Sequence, residues 1–228
     1  MIEFENVRMV YPNGTEALSD VSLKIDEGEF VFIVGASGAG KSTLLHLLLR
    51  EEKATDGTIR VGDYDLSTIR NRKIPYYRRK LGVVFQDFKL FDHKTVYENV
   101  SFAMRAIGAP SSLIRVRVPA ILKSVDLSAK YKSFPTELSG GEQQRVSFAR
   151  AIANNPDIII ADEPTANIDP EMTFEMMNLL LKFNKLGKTV IVITHERGLV
   201  NYLKKRVITL DKGRIVDDTK GGLANESL

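Results

Sequence analysis

The sequence predicts an α/β fold built on a mostly parallel sheet. Three observations carry this reading. Short, predominantly apolar runs at 30–34 (FVFIV), 157–162 (DIIIAD) and 189–194 (TVIVIT) have the length and composition of strands buried on both faces. Between them lie segments whose apolar residues recur every three or four positions, the spacing of helices. The first of these runs passes through a glycine-rich loop straight into one such helix. Strand, helix, strand alternation places the strands parallel in one sheet.

Taken in order, residues 1–34 read as strands. IEFENV alternates with Ile2 and Phe4 on one face, and VSLKI alternates Val21, Leu23 and Ile25. DEGE at 26–29 is a turn before the first buried run. STLLHLLLREE, after the glycine-rich loop, is a helix so apolar that most of its sides must be buried. GTIRVGDYDL gives a further short strand and turn, and LGVVFQ at 81–86 another apolar strand. From about 95 to about 155 the periodicity is helical, with Val96, Val100, Met104 and Ile107 spaced along one face. SSLIRVRVPAILKSVDL continues it, with Pro119 at a kink or a first turn. EMTFEMMNLLLKFNKLG is a helix ending at Gly187, a C-cap position. KRVITLDKGRIVDD forms two strands about an Asp-Lys-Gly turn. The β-rich start and the helical middle, about residues 88–155, are expected as subdomains of a single domain spanning 1–228.

A chain of 228 residues, 43% of them hydrophobic, can bury one sizeable core. The net charge of +3 is small, and Lys and Arg are interspersed with Asp and Glu, so no nucleic-acid partner is expected. The basic cluster YYRRK at 76–80 reads as a solvated helix face. The absence of cysteine excludes a disulfide framework. The first residues, MIEFENVRMVY, are acidic where a signal peptide needs a basic and then an apolar run. No apolar stretch approaches the ~20 residues that cross a bilayer. Work at a membrane would require another chain as the anchor.

GASGAGKS, residues 35–42, matches the G-x-x-x-x-G-K-S phosphate loop in full, between a buried strand and a helix. Its backbone amides and the helix N-terminus suit phosphate oxygens. Gly35, Ala36, Ser37, Gly38, Ala39, Gly40, Lys41, Ser42 and the following Thr43 are the candidate nucleotide contacts. Lys41 would reach the β- and γ-phosphates and the Ser42 hydroxyl would ligate Mg²⁺. Asp162 ends an apolar strand, where a second metal ligand is expected. Glu163 follows; it either orients or deprotonates the attacking water, or caps the segment before Pro164. Ser139 and Glu142 have the spacing of a capping box, yet Gly140 and Gly141 occupy the same first turn at about 1 kcal/mol each relative to Ala.

With LSGGEQQR at 138–145 between the phosphate loop and IIIADEPTANID, the chain resembles the ATP-binding cassette (ABC) ATPases over essentially its whole length. The resemblance implies a P-loop NTPase fold with a RecA-like core sheet, an N-terminal antiparallel β-subdomain and an inserted helical subdomain. It implies Mg²⁺-dependent ATP hydrolysis. It places Tyr11 against adenine, although an ordinary strand-end aromatic is the alternative. It makes Gln86 the glutamine that senses the γ-phosphate and metal, and His195 the histidine that contacts the γ-phosphate. Asn167, Ile168 and Asp169 fall in its D-loop. His46 and His93 have no place in the pattern and read as structural or surface residues. Glu196 stands where an Asp commonly follows the histidine and keeps its charge.

The resemblance also implies a homodimer on ATP binding, in which Ser139, Gly140, Gly141, Glu142 and Asp169 of one chain meet the nucleotide on the other. Within the family, VVFQDFKLFDHKTVYENVSFAM and KRVITLDKGRIVDDTKGG are similar to the FtsE branch of bacterial cell-division ATPases. That branch pairs with an integral membrane protein, FtsX, and controls peptidoglycan hydrolases. The implied location is cytoplasmic, on the inner face of the cell membrane. Residues 88–100 are candidates for lining the partner's groove, with simple burial of Phe88, Leu90 and Phe91 as the alternative. Two other readings stand beside this one: the ATPase of a lipoprotein-releasing or macrolide-efflux transporter, and a soluble ATPase acting on nucleic acid or ribosomes.

Overall fold

β1 (Ile2–Val10) and β2 (Glu16–Ile25) pair antiparallel, with Ile2 opposite Ile25 and Phe4 opposite Leu23. All four residues are buried, so the alternation in the sequence separates a core face from a wet one. In the computed structural model, which describes residues 1–166 and 169–223, the chain continues through β3 (Phe30–Val34), α1 (Lys41–Leu48), β4 (Asp56–Val61), β5 (Tyr64–Asp65) and α2 (Ile74–Arg78). Then come β6 (Leu81–Val84), α3 (Val96–Ala106), α4 (Ser111–Ser124), α5 (Gly140–Ile152), β7 (Ile158–Asp162) and α6 (Pro170–Lys185). It closes with β8 (Thr189–Ile193), α7 (Arg197–Leu203), β9 (Arg206–Asp211) and β10 (Arg214–Thr219). These elements form two compact units: Met1–Arg78 with Thr189–Leu228, and Arg79–Lys188.

In the first unit β1 lies between β2 and β4 in an antiparallel sheet, and β5 pairs with β4. A second set of strands has β3 between β8 and β9, parallel to both, with β10 antiparallel to β9. Every residue of β3 and β8 is buried, as a strand covered on both faces requires. α1 buries Thr43, Leu44, Leu45, Leu47 and Leu48.

The helix expected over STLLHLLLREE stops at Leu48, and Arg50 takes a left-handed φ of 55°. The cause lies in the basic cluster. Tyr77 donates its hydroxyl to Leu48 O at 2.5 Å, and Arg78 donates Nε to Leu49 O at 2.8 Å and Nη2 to Arg50 O at 3.3 Å. Side chains thus satisfy the carbonyls that a helix end leaves open. YYRRK is therefore not simply a solvated face: Tyr77 is fully buried, and burial pushes its hydroxyl pKa well above the ordinary value.

In the second unit β6 and β7 pair in parallel, with Leu81 opposite Ile158. The strand expected over 81–86 ends at Val84. α3 is capped by Thr95 and Glu98 in a reciprocal box. Fully buried Asn99 accepts from Phe91 N and donates to Phe91 O, Lys94 O and Thr95 O, pinning the loop ahead of the helix. Pro119 lies inside α4, not in its first turn. Gly187 closes α6 at φ 82°, as its C-cap position requires.

Candidate functional site

The first unit holds the phosphate loop. β3 ends at Val34, the loop runs from Gly35 to Gly40, and α1 begins at Lys41. No side chain caps α1, so its first-turn amides and the positive end of its dipole face the loop. Lys41 Nζ donates to Gly35 O at 2.7 Å and to Ala36 O at 3.0 Å, which holds the ammonium against the loop's own backbone. Gly40 sits at φ 106°, and a Cβ there would press to 2.7 Å from Ala17 O. The Asp-Lys-Gly turn between β9 and β10 supports the loop directly: Gly213 N donates to Ala39 O at 3.0 Å, and Gly213 O accepts from Ser19 N at 2.8 Å. Tyr11 is half-buried, and its hydroxyl lies 3.2 Å from Thr43 Oγ1, beside the first turn of α1.

Register brings His195 to the same edge. Ile33 pairs with Ile193, so Gly35 and His195 each leave the parallel strands two residues later. His195 is exposed, and the turn after it is fixed by Glu196 N donating to Thr194 Oγ1 at 3.1 Å.

The second unit repeats this arrangement. Val84 pairs with Ala161, so Gln86 and Glu163 emerge together from the carboxyl ends of β6 and β7. Gln86 is exposed; Asp162 and Glu163 are half-buried. Glu163 has φ 44° and accepts from Ala166 N at 3.1 Å, a left-handed turn costing a non-glycine residue about 1–2 kcal/mol. Such strain in a carboxylate at a strand end marks a functional candidate.

Ser139 caps α5 as the sequence implied: Glu142 N donates to Ser139 Oγ at 3.3 Å, and Ser139 N donates to Glu142 Oε2 at 2.9 Å. That amide, assisted by Lys130, holds the Glu142 carboxyl below its ordinary pKa. The structure adds a second reason for the bare helix start. A Cβ on Gly141 would overlap Met172 Sδ, so this glycine admits a side chain of α6. Asp169 caps α6 by accepting from Met172 N at 2.9 Å, which engages one of its oxygens. Asn167 and Ile168 lie outside the described residues. Phe88, Leu90 and Phe91 are each half-buried, with Phe88 O and Lys89 O accepting from Arg150.

Two site-building residues escaped the sequence reading. Gln144 donates Nε2 to Pro164 O at 2.7 Å from a fully buried position, and its Oε1 has no partner among the described residues. Its signal was a polar residue on the face of α5 that also carries Gly141 and Phe148. Gly213 gave none beyond its turn motif.

A family model described as ABC transporter matches residues 18–166. The chain is 52% identical over 222 residues to the cell division ATP-binding protein FtsE of Bacillus subtilis (strain 168), covering 97% of both chains. It is 50% identical over 222 residues to FtsE of Streptococcus pneumoniae serotype 2, covering 97% of this chain and 96% of that one. Among solved structures, the ATP-binding cassette MJ0796, a dimer in a post-hydrolysis state bound to ADP and Pi, superposes with a TM-score of 0.87. It is 37% identical, over 96% of this chain and 98% of that one. With two strand edges delivering a phosphate loop and a carboxylate pair, and with these likenesses, the chain belongs to the ABC transporter family as an ATPase.

Proposed function

We propose that this ATPase is the nucleotide-driven subunit of an FtsEX-like membrane complex in bacterial cell division. It would act as a single cytoplasmic ATPase domain held at the membrane by an integral FtsX-like partner. Among the described residues no helix is long and apolar enough to cross a membrane, and in this reading the partner would supply the anchor. The observation that carries the chemistry is the uncapped start of α1 behind the phosphate loop, with Lys41 folded over it. The cell-division assignment is supported by near-full-length identity to proteins of that name.

In this reading Gly35 to Thr43 bind the phosphates and Tyr11 flanks the base. Mg²⁺ fits the donors present. Mg²⁺ takes oxygen ligands and keeps several waters, so one hydroxyl, one carboxylate and one amide oxygen beside the phosphates make a set that it accepts. Ser42, Asp162 and Gln86 would supply them, and the ion would neutralise charge on the transferring phosphate. Glu163 orients or deprotonates the attacking water, and His195 contacts the γ-phosphate. Ser139, Gly140, Gly141, Glu142 and Asp169 serve the nucleotide of a second copy, which makes ATP the ligand that favours the closed homodimer. Closure would be read by the membrane partner and passed to peptidoglycan hydrolases.

Glu163→Gln tests this. It should bind ATP with affinity unchanged within about twofold, lose turnover by about a hundredfold or more, and run as a dimer with ATP on a sizing column. Turnover near wild type would remove Glu163 from its role. The family's description as a transporter favours a second reading, the ATPase of an export system. Depletion that blocked export and left division intact would select it.

A further inference from the structure

Gln144 lies in the second turn of α5 and is 1% exposed. Its Nε2 donates to the carbonyl of Pro164, the residue after Glu163, at 2.7 Å. Its Oε1 is buried with no hydrogen-bond partner among the described residues, so what the side chain supplies is a donor. The same side of α5 meets the chain beyond this turn twice more. Gly141 makes room for Met172, and Arg145 Nη1 donates to Glu175 Oε2 at 2.8 Å. Glu163 itself stands at φ 44°, a conformation that persists only where the surroundings hold it. Pro164 has no N–H, so its carbonyl is the handle by which the turn can be held from outside.

We propose that Gln144 is a positioning residue for ATP hydrolysis: by gripping Pro164 O it fixes the backbone turn that aims the Glu163 carboxylate. It touches no nucleotide and acts only through that turn. The role rests on Glu163 being the residue that orients or deprotonates the attacking water.

Two variants test it. Gln144→Met keeps length and volume and removes the donor. It should lower kcat at least about tenfold while nucleotide Kd stays within about twofold, because a displaced catalytic group costs turnover and not binding. Gln144→Glu keeps the shape but offers Pro164 O a donor only when the introduced carboxyl is protonated. Burial raises the pKa of such a carboxyl, so the ratio of variant to wild-type kcat should climb as pH falls from about 8.5 to about 6. A merely structural role would not produce that rescue. Gln144→Met with kcat within about twofold of wild type overturns the proposal, as does a flat ratio for Gln144→Glu. Loss of affinity in step with kcat also overturns it. Should Gln144→Met fail to fold by circular dichroism, the Gln144→Glu ratio decides alone. Failure of the underlying reading is distinguishable: Glu163→Gln would then turn over, whatever the Gln144 variants did.

Discussion

Lys41 occupies the first position of α1, and its ammonium rests on the carbonyls of Gly35 and Ala36. A phosphate that binds this loop draws on a cation already in place, so no long side chain must be recruited from solvent. Lys41→Ala removes that charge from a loop whose other donors are backbone amides. ATP affinity should fall by about tenfold or more, which titration calorimetry would measure, since charge-assisted bonds to phosphate are the strong ones. The melting temperature should change little, because the lysine's bonds are to its own loop. Unchanged affinity would contradict the phosphate-loop assignment. Glu163 shows the other kind of residue-level effect. Its side chain does the proposed chemistry while its backbone carries strain that other residues must hold.

At the scale of elements, the start of α5 serves two demands. Gly141 admits Met172, and the bare first turn is also the proposed contact for a second chain's phosphate. The demands separate by mutation. Gly141→Ala should destabilise the protein by about 1 kcal/mol at most, since overpacking is eased by the flexible Met172 and by the helix propensity that Ala restores. Adding Met172→Ala should return most of that loss, since the two side chains would compete for one space. If the glycine also serves phosphate, the double variant regains its melting temperature and stays defective in ATPase rate. Recovery of both would reduce Gly141 to a packing residue. The packing role of Gly141 was hidden in the sequence, where the spacing from Ser139 to Glu142 announces a helix start and the glycines oppose it. Signals carried by consecutive residues were legible. The apolar runs of β3, β7 and β8, the capping box and the phosphate loop all lie where the sequence puts them. Features that depend on distant partners were not. The early end of α1 depends on Tyr77 and Arg78, and the grip of Gln144 on Pro164 spans 20 residues. The short helices α2 and α7 bury one or two adjacent residues each, which leaves no period to detect.

At the scale of the whole molecule, ion pairs set the acid limit of stability. Arg206 donates to both oxygens of Glu29 and to both of Asp218, joining the turn before β3 to the closing hairpin. Its hydrogen bonds hold the Asp218 carboxyl below the ordinary value of 3.8, and Lys80 does the same chiefly by hydrogen bonding to Asp157. A carboxylate whose folded pKa is depressed stabilises the fold above its unfolded pKa and stops doing so as pH falls through the folded value. The melting temperature should therefore hold down to about pH 5 and drop below about pH 4. Arg206→Met should melt lower than wild type at neutral pH. The gap should narrow as acid protonates the carboxylates, and a gap independent of pH would show that packing and not charge sets the difference.

The contact between Gly213 and Ala39 also bears on the order in which the protein is made. The loop proposed to read phosphate is synthesised well before the turn that forms its floor. A nascent chain held on the ribosome short of β9 would carry every residue of the loop and lack what shapes it. Stalled chains released into solution should bind ATP only once the hairpin has emerged, and a chain ending at residue 205 should bind poorly despite an intact GASGAGKS. ATP binding would then report that the hairpin has been made, keeping copies that lack it from the proposed nucleotide-dependent dimer.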